Sequence, residues 1–293
     1  MNRYLQLICI LATCAFSRPM LGQSVASSGD TTGQSTVKKT TPQIQDNSFL
    51  IEEAYNQEWG VVQHISTFSR MWNSKDWSYT FTQEWPGLRN WRHQFSYTFV
   101  GSHAGGFAGS GGGLGDTILN YRYQAVGSGD SRVAVAPRLS LLLPTGKFES
   151  GRGSGGVGVQ TNLPVSVVLH PRLITHWNIG GTFIPHAQNF DHLRASTVGY
   201  NLGQSFIGVV HPRFHILLET YAGAFQSVVG RGATAWSQTL YLSPGVRFAF
   251  NMKKGLQIVP GVAAPVGIGP STGERGIFLY LSFEHPFRGA VER

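Results

Sequence analysis

From about Glu52 to Phe287 the chain alternates apolar and polar residues with a period of two, in run after run of ten or more residues. That is strand spacing, because successive side chains of a strand point to opposite faces. In 91–100, His93, Phe95, Tyr97 and Phe99 share one face, and Arg92, Gln94, Ser96 and Thr98 share the other. In 157–169, Val159, Thr161, Leu163, Val165, Val167 and Leu169 oppose Gln160, Asn162 and Ser166. In 276–284, Ile277, Leu279, Leu281 and Phe283 oppose Phe278, Tyr280, Ser282 and Glu284. The pattern predicts about a dozen strands: 58–68, 75–85, 91–100, 115–126, 132–143, 157–169, 173–184, 197–210, 213–225, 236–250, 255–264 and 275–286. Strands of globular proteins run to about 5–6 residues, while a tilted membrane-spanning strand needs about 9–11. Length therefore favours a membrane barrel over a sandwich.

The connections alternate in length. Short ones fall at 86–87, 127–130, 170–172, 211–213 and 252–254, and long ones at 101–114, 144–156, 185–196, 226–235 and 265–274. Tight turns at one rim and long loops at the other are the mark of an up-and-down barrel. Lipid offers no water to an unpaired backbone group, so a spanning sheet must close on itself. The expected fold is all-β: a closed antiparallel up-and-down transmembrane β-barrel of about twelve strands over residues 51–288. Pro137, Pro244 and Pro260 fall inside predicted strands and lack a ladder donor, so a bulge or strand end is expected at each.

Composition agrees. Only 13% of residues are charged, against roughly 25% in ordinary soluble domains, yet the mean hydropathy is −0.08. Two unlike faces, one apolar and one polar, resolve that combination. A helical membrane protein is excluded after the first twenty-odd residues, because no run of about 18 apolar residues follows. Aromatics at 12% exclude a wholly disordered chain. Trp59, Trp77, Trp85, Trp91, Tyr121, Tyr123, Trp177 and Trp236 sit near predicted strand ends, as an interfacial girdle requires.

Residues 1–23 have the form of a secretory signal: Arg3, an apolar stretch from Tyr4 to Phe16, then a small-residue cleavage candidate at Ser24-Val25-Ala26. A lipoprotein signal ending at Cys14 is the alternative. Cleavage near Ala26 would remove Cys9 and Cys14, leaving no disulfide framework, and would remove Arg3 and Arg18, taking the net charge from +8 to +6. That charge is spread along the chain, which points away from nucleic acid. Residues 24–50 are a polar leader with the composition of a flexible segment, and 289–293 form a C-terminal tail.

Several segments resemble a bacterial outer-membrane family named for the MetA pathway of phenol degradation and also called simply a transporter family. They are Ile51-Glu52-Glu53-Ala54-Tyr55-Asn56-Gln57-Glu58 followed by Gly60-Val61-Val62-Gln63-His64, Gly113-Leu114-Gly115-Asp116 with Asn120-Tyr121-Arg122-Tyr123-Gln124, and Leu143-Pro144-Thr145-Gly146. The resemblance spans about 51–287. It implies an outer-membrane barrel linked to uptake of small, often aromatic or hydrophobic compounds. It brings no catalytic or binding residues and no particular solute.

Motifs for other chemistry are weak. Gly153-Ser154-Gly155-Gly156-Val157-Gly158 matches G-x-G-x-x-G but opens a strand rather than a helix. There is no G-x-S-x-G elbow. His211 and His215 are four apart, but Pro212 breaks the helical geometry of a zinc pair. No catalytic residue, metal or cofactor is expected. The sharpest feature is a set of charges whose parity points into the lumen: Glu84, Arg92, Asp116, Arg122, Arg138, Glu219, Arg247 and Glu284, with His176 and His215. An Arg or Lys facing lipid at the bilayer midplane would cost about 2–4 kcal/mol, so parity and energy agree. Such charges either filter polar solutes or pair across a narrow lumen and fix its shape. The partners expected are membrane lipid and small hydrophobic solutes in the outer membrane of a Gram-negative bacterium. A non-conducting structural or surface-binding barrel is the alternative, and a secreted soluble β-protein or a barrel enzyme stands further off. The sequence leaves the oligomeric state open, and also whether the leader plugs the lumen.

Overall fold

Each period-two run becomes a strand in the computed structural model of the chain, which describes residues 44, 46–87, 90–105 and 111–287. The expected signal stretch, most of the leader and the C-terminal tail lie outside the described residues, as do Cys9 and Cys14. The strands are β1 (Val61–Met71), β2 (Trp77–Pro86), β3 (His93–His103), β4 (Gly113–Tyr123), β5 (Val133–Val135 and Arg138–Leu143), β6 (Gly158–Asn162 and Val165–His170), β7 (Leu173–Gln188), β8 (Arg194–His211), β9 (Phe214–Gly230), β10 (Ala233–Phe248 and Phe250–Asn251), β11 (Gln257–Ala263 and Val266–Gly267) and β12 (Gly276–Pro286). Each pairs antiparallel with the next. β1 pairs with β12 in unbroken register from Val61↔Pro286 to Met71↔Gly276. The result is the closed twelve-stranded antiparallel barrel that the period predicts.

Alternation sorts the faces. On β5, Arg138 and Ser140 turn inward to bond Asn120, while Leu139 and Leu141 are 52% and 40% exposed on the outside. Leu141→Arg would put a guanidinium on that apolar face. In a bilayer it is expected to destabilise the barrel by about 2–4 kcal/mol, read as a lowered urea midpoint for loss of the folded gel band.

Two expectations need correction. The segments 185–196 and 226–235 are not long loops. β7 and β8 run on to a connection at 189–193, and β9 and β10 to one at 231–232. Strand pairing beyond an apolar belt needs only the backbone ladder, so the polar side chains there conceal the strands. The prolines also behave differently from one another. Pro137 separates the two pieces of β5, as expected. Pro244 and Pro260 lie within continuous strands, and neither shifts the register. The β10–β11 ladder keeps one register from Tyr241↔Gly267 through Gly245↔Ala263 to Asn251↔Gln257, with gaps where the prolines supply no N–H. An apolar recess lined by Pro244, Val246, Val262 and Ala263 among others lies along this seam.

Candidate functional site

The lumen is occupied by the chain itself. Residues 46–58 precede β1, form no strand, and fill the short-turn half of the barrel. Ile44 and Phe49 are buried among Ile65, Val259, Phe278 and Tyr280. The boundary expected at residue 50, between a flexible leader and the barrel, therefore does not hold for 44 and 46–50. A short irregular segment shows no periodicity of its own, so the pattern that reveals strands passes over it.

Inward side chains of the wall hold this segment largely by its backbone. Arg247 donates to the carbonyls of Asp46 and Asn47 at 2.9 and 2.6 Å. The Glu219 carboxylate accepts the N–H groups of Phe49, Leu50 and Ile51 at 2.9, 3.0 and 3.2 Å. Asn178 accepts the Glu52 N–H at 2.8 Å and donates to the Glu52 carbonyl at 2.7 Å. Gln124 donates to the Ala54 carbonyl at 2.7 Å and accepts the Asn56 N–H at 2.9 Å. Ser166 accepts from Ala54 and Gln94 from Gln57, at 2.8 and 2.7 Å. Arg122 donates to the carbonyls of Glu53 and Tyr55. Buried backbone groups must find partners, and here the wall supplies them.

One side chain of the segment anchors it electrostatically. Glu52 meets Arg122 at 3.1 Å, Arg138 at 3.0 Å and the Asn162 amide at 2.8 Å. Asp46 accepts from Gln63 and Tyr280, which ties β1, β12 and the segment together. The wall is notched to fit. A Cβ on Gly203 would collide with the Ile51 side chain, and one on Gly245 or Gly261 would collide with the Phe49 ring. These glycines are where the wall and the segment approach most closely.

The sequence-predicted charges take several roles. Arg122, Arg138, Glu219 and Arg247 touch the segment directly. Glu84 accepts from Gln94 at 2.7 Å and lies 3.9 Å from Arg122. Glu284 is half-buried opposite Gln63 and Gln257. Asp116 sits at the long-loop end instead, buried, where it accepts from the backbone of Gly146 and Ser154 at 3.0 and 2.8 Å and holds loop 144–157. Arg92 does not face the lumen. It precedes β3 at the exposed rim, over the ring of Trp91 at 5.1 Å. Parity fails for it because it lies just off the strand. His176 is buried and pairs with Ser166 at 2.7 Å, and His215 is buried beside Arg247. The Ser166 hydroxyl lies beneath Ala54, whose N–H it accepts. Sequence reasoning missed Asn178, Gln124, Gln94 and Ser166, whose only signal was inward parity.

Carboxyls of the segment respond to this setting in opposite senses. Burial alone would push Glu52 up, but the guanidiniums of Arg138 and Arg122 and the Asn162 amide outweigh it and hold the carboxyl below its ordinary range. Burial pushes Glu53 well above its ordinary range, with Asp46 beside it acting the same way. Burial also raises Asp46, against the pull of Arg247. A lowered carboxylate pKa lends stability that is lost as pH falls through it. A raised one lends stability that is lost as pH rises through it. Seating of the segment is therefore expected to be firmest in between, at weakly acidic pH. Protection of 46–57 from protease across a pH series checks this: Glu52→Gln should remove the acid limb, and Glu53→Gln should flatten the alkaline one.

Beyond the segment lies a cavity of about 380 Å³, floored by Phe49, Leu50, Ile51 and Glu52. One wall is a ladder of hydroxyls paired across strands, Thr67 with Thr80, Ser69 with Ser78 and Thr82 with Thr98. Tyr221, Phe225 and Tyr241 line the cavity from β9 and β10, and Phe278 from β12 beside Ser69.

No protein-family model matches the chain, and no curated protein is a relative by sequence. In fold it is similar to solved outer-membrane structures. The COG4313 outer membrane channel from Pseudomonas putida F1 superposes with a TM-score of 0.57 at 13% identity, over 79% of this chain and 97% of that one. The NanC porin gives 0.49 at 10% identity, over 75% and 98%. The KdgM porin gives 0.45 at 9%, over 77% and 99%. The likeness is one of fold, that of a closed antiparallel barrel.

Proposed function

We propose that the chain is an outer-membrane barrel for passive passage of small solutes, held shut by its own residues 46–57. What supports this is the nature of the occlusion. The segment is held by side-chain hydrogen bonds and the Glu52 ion pairs rather than by a strand ladder, so it can leave without breaking the barrel. The inward arginines spend their charge on the segment, which weakens the reading of a lumen braced permanently from wall to wall. The cavity, with Tyr221, Phe225, Tyr241 and Phe278 in its lining, suits small solutes with apolar surface, in keeping with the family resemblance. A second route is favoured by the β10–β11 seam: where proline gaps meet an apolar recess, a hydrophobic solute can pass sideways into lipid.

The test is a reversible lock. Ser48 Oγ lies 2.8 Å from Ser205 Oγ on β8, so Ser48→Cys with Ser205→Cys places a disulfide between segment and wall. In planar bilayers the oxidised protein should stay closed, and reduction should restore openings. Equal conductance in both states, or no conductance in either, would overturn the proposal.

A further inference from the structure

The wall reads this segment as a peptide. From Asp46 to Gln57, each residue except Ser48 has a backbone group bonded to a side chain. For all but Glu53 N–H, which is taken by Asn47 within the segment, those side chains belong to the wall. A plug could have satisfied its own backbone as a hairpin or a helix. This one forms neither, with bends at 49–51 and 54, and the barrel supplies its partners. Asn178 and Gln124 each offer one donor and one acceptor to the segment, which is what a neighbouring strand would offer. Glu219 gathers three successive N–H groups with one carboxylate.

Side-chain demands over the central stretch are few. Among the described residues from Phe49 to Ala54, Glu52 is the side chain that hydrogen-bonds the wall, in the Arg122–Arg138–Asn162 pocket. Phe49 and Ile51 need only apolar bulk in the glycine notches.

We infer that the inner wall is a peptide-binding groove which, once residues 46–57 leave it, takes other oligopeptides bearing a carboxylate side chain with apolar residues one and three positions before it. Short peptides of that kind are then a solute class for the barrel. This rests on the segment being removable, which the disulfide lock tests separately and by a different readout.

The experiment keeps the whole chain. A protease site is inserted between Glu58 and Gly60, where Glu58 and Trp59 are exposed, and is cut after folding so that the segment stays seated without a covalent tie. A fluorescent peptide with the sequence of 46–57 is then exchanged in, and binding is read by anisotropy against unlabelled competitors. A competitor with the acid and the two apolar positions kept but the other side chains changed should compete within about tenfold of the native sequence. N-methylation of the amides matching Phe49, Leu50 and Glu52 should weaken competition at least a hundredfold, and so should replacing the acid by Gln. The inference is overturned if the changed-sequence peptide fails while the native one binds, if N-methylation has no effect, or if the native peptide does not exchange at all.

Discussion

A chain carrying Glu52→Lys is expected to conduct where the parent is shut. The native carboxylate satisfies two guanidiniums and an amide within 3.1 Å. Removing one partner of a buried ion pair costs about 3–5 kcal/mol, because the remaining charge is left uncompensated. A lysine does more, placing a third cation against Arg122 and Arg138. A shift of about 3 kcal/mol between seated and displaced states changes the open population by roughly a hundredfold. Single-channel recording in planar bilayers reads this directly as open probability. Glu52→Gln should act in the same direction but less, since the amide oxygen still accepts from one neighbour. An unchanged open probability in Glu52→Lys would show that the ion pairs do not hold the segment.

Glu219→Ala is expected to unlatch the same segment by a different route. Three backbone N–H groups lose their acceptor at once. Each would cost about 1–3 kcal/mol if it stayed buried and unpaired. The segment avoids that cost by leaving for water. Glu219→Gln keeps an oxygen where Oε1 now accepts all three bonds, so its effect should be much smaller. The barrel itself should not notice either change, because the strand ladders remain whole. The heat-modified gel shift should therefore keep its midpoint while openings become frequent. A parallel loss of barrel stability would mean that Glu219 braces the wall rather than the segment.

The barrel was legible because alternation is a repeated signal, renewed on every strand from β1 to β12. What alternation could not show is anything that departs from half-buried pairing. The polar ends of β7 to β10 pair beyond the apolar belt, so Gln188, Arg194, Gln226 and Thr234 look like loop. Pro244 looks like a strand breaker, yet β10 runs through it with its register intact. The inward charges were readable by parity, but their partner was not. Arg122 and Arg138 face the Glu52 carboxylate, which lies just ahead of β1 rather than on another strand. The occupied lumen depends on single contacts at long sequence separation, such as Glu219 with Leu50, and such contacts leave no local pattern.

The Asp46 site carries a consequence for the order of assembly. Its carboxylate is received by Gln63 on the first strand and Tyr280 on the last, residues that become neighbours only when β1 zips onto β12. Contacts so distant in sequence form late, because the chain must first lose the entropy of closing a very long loop. The occluding segment thus has no complete seat until the cylinder is finished. Its docking is therefore expected to follow closure of the barrel, so that on the proposed reading a new barrel passes through an interval in which it is closed as a sheet and still open as a pore.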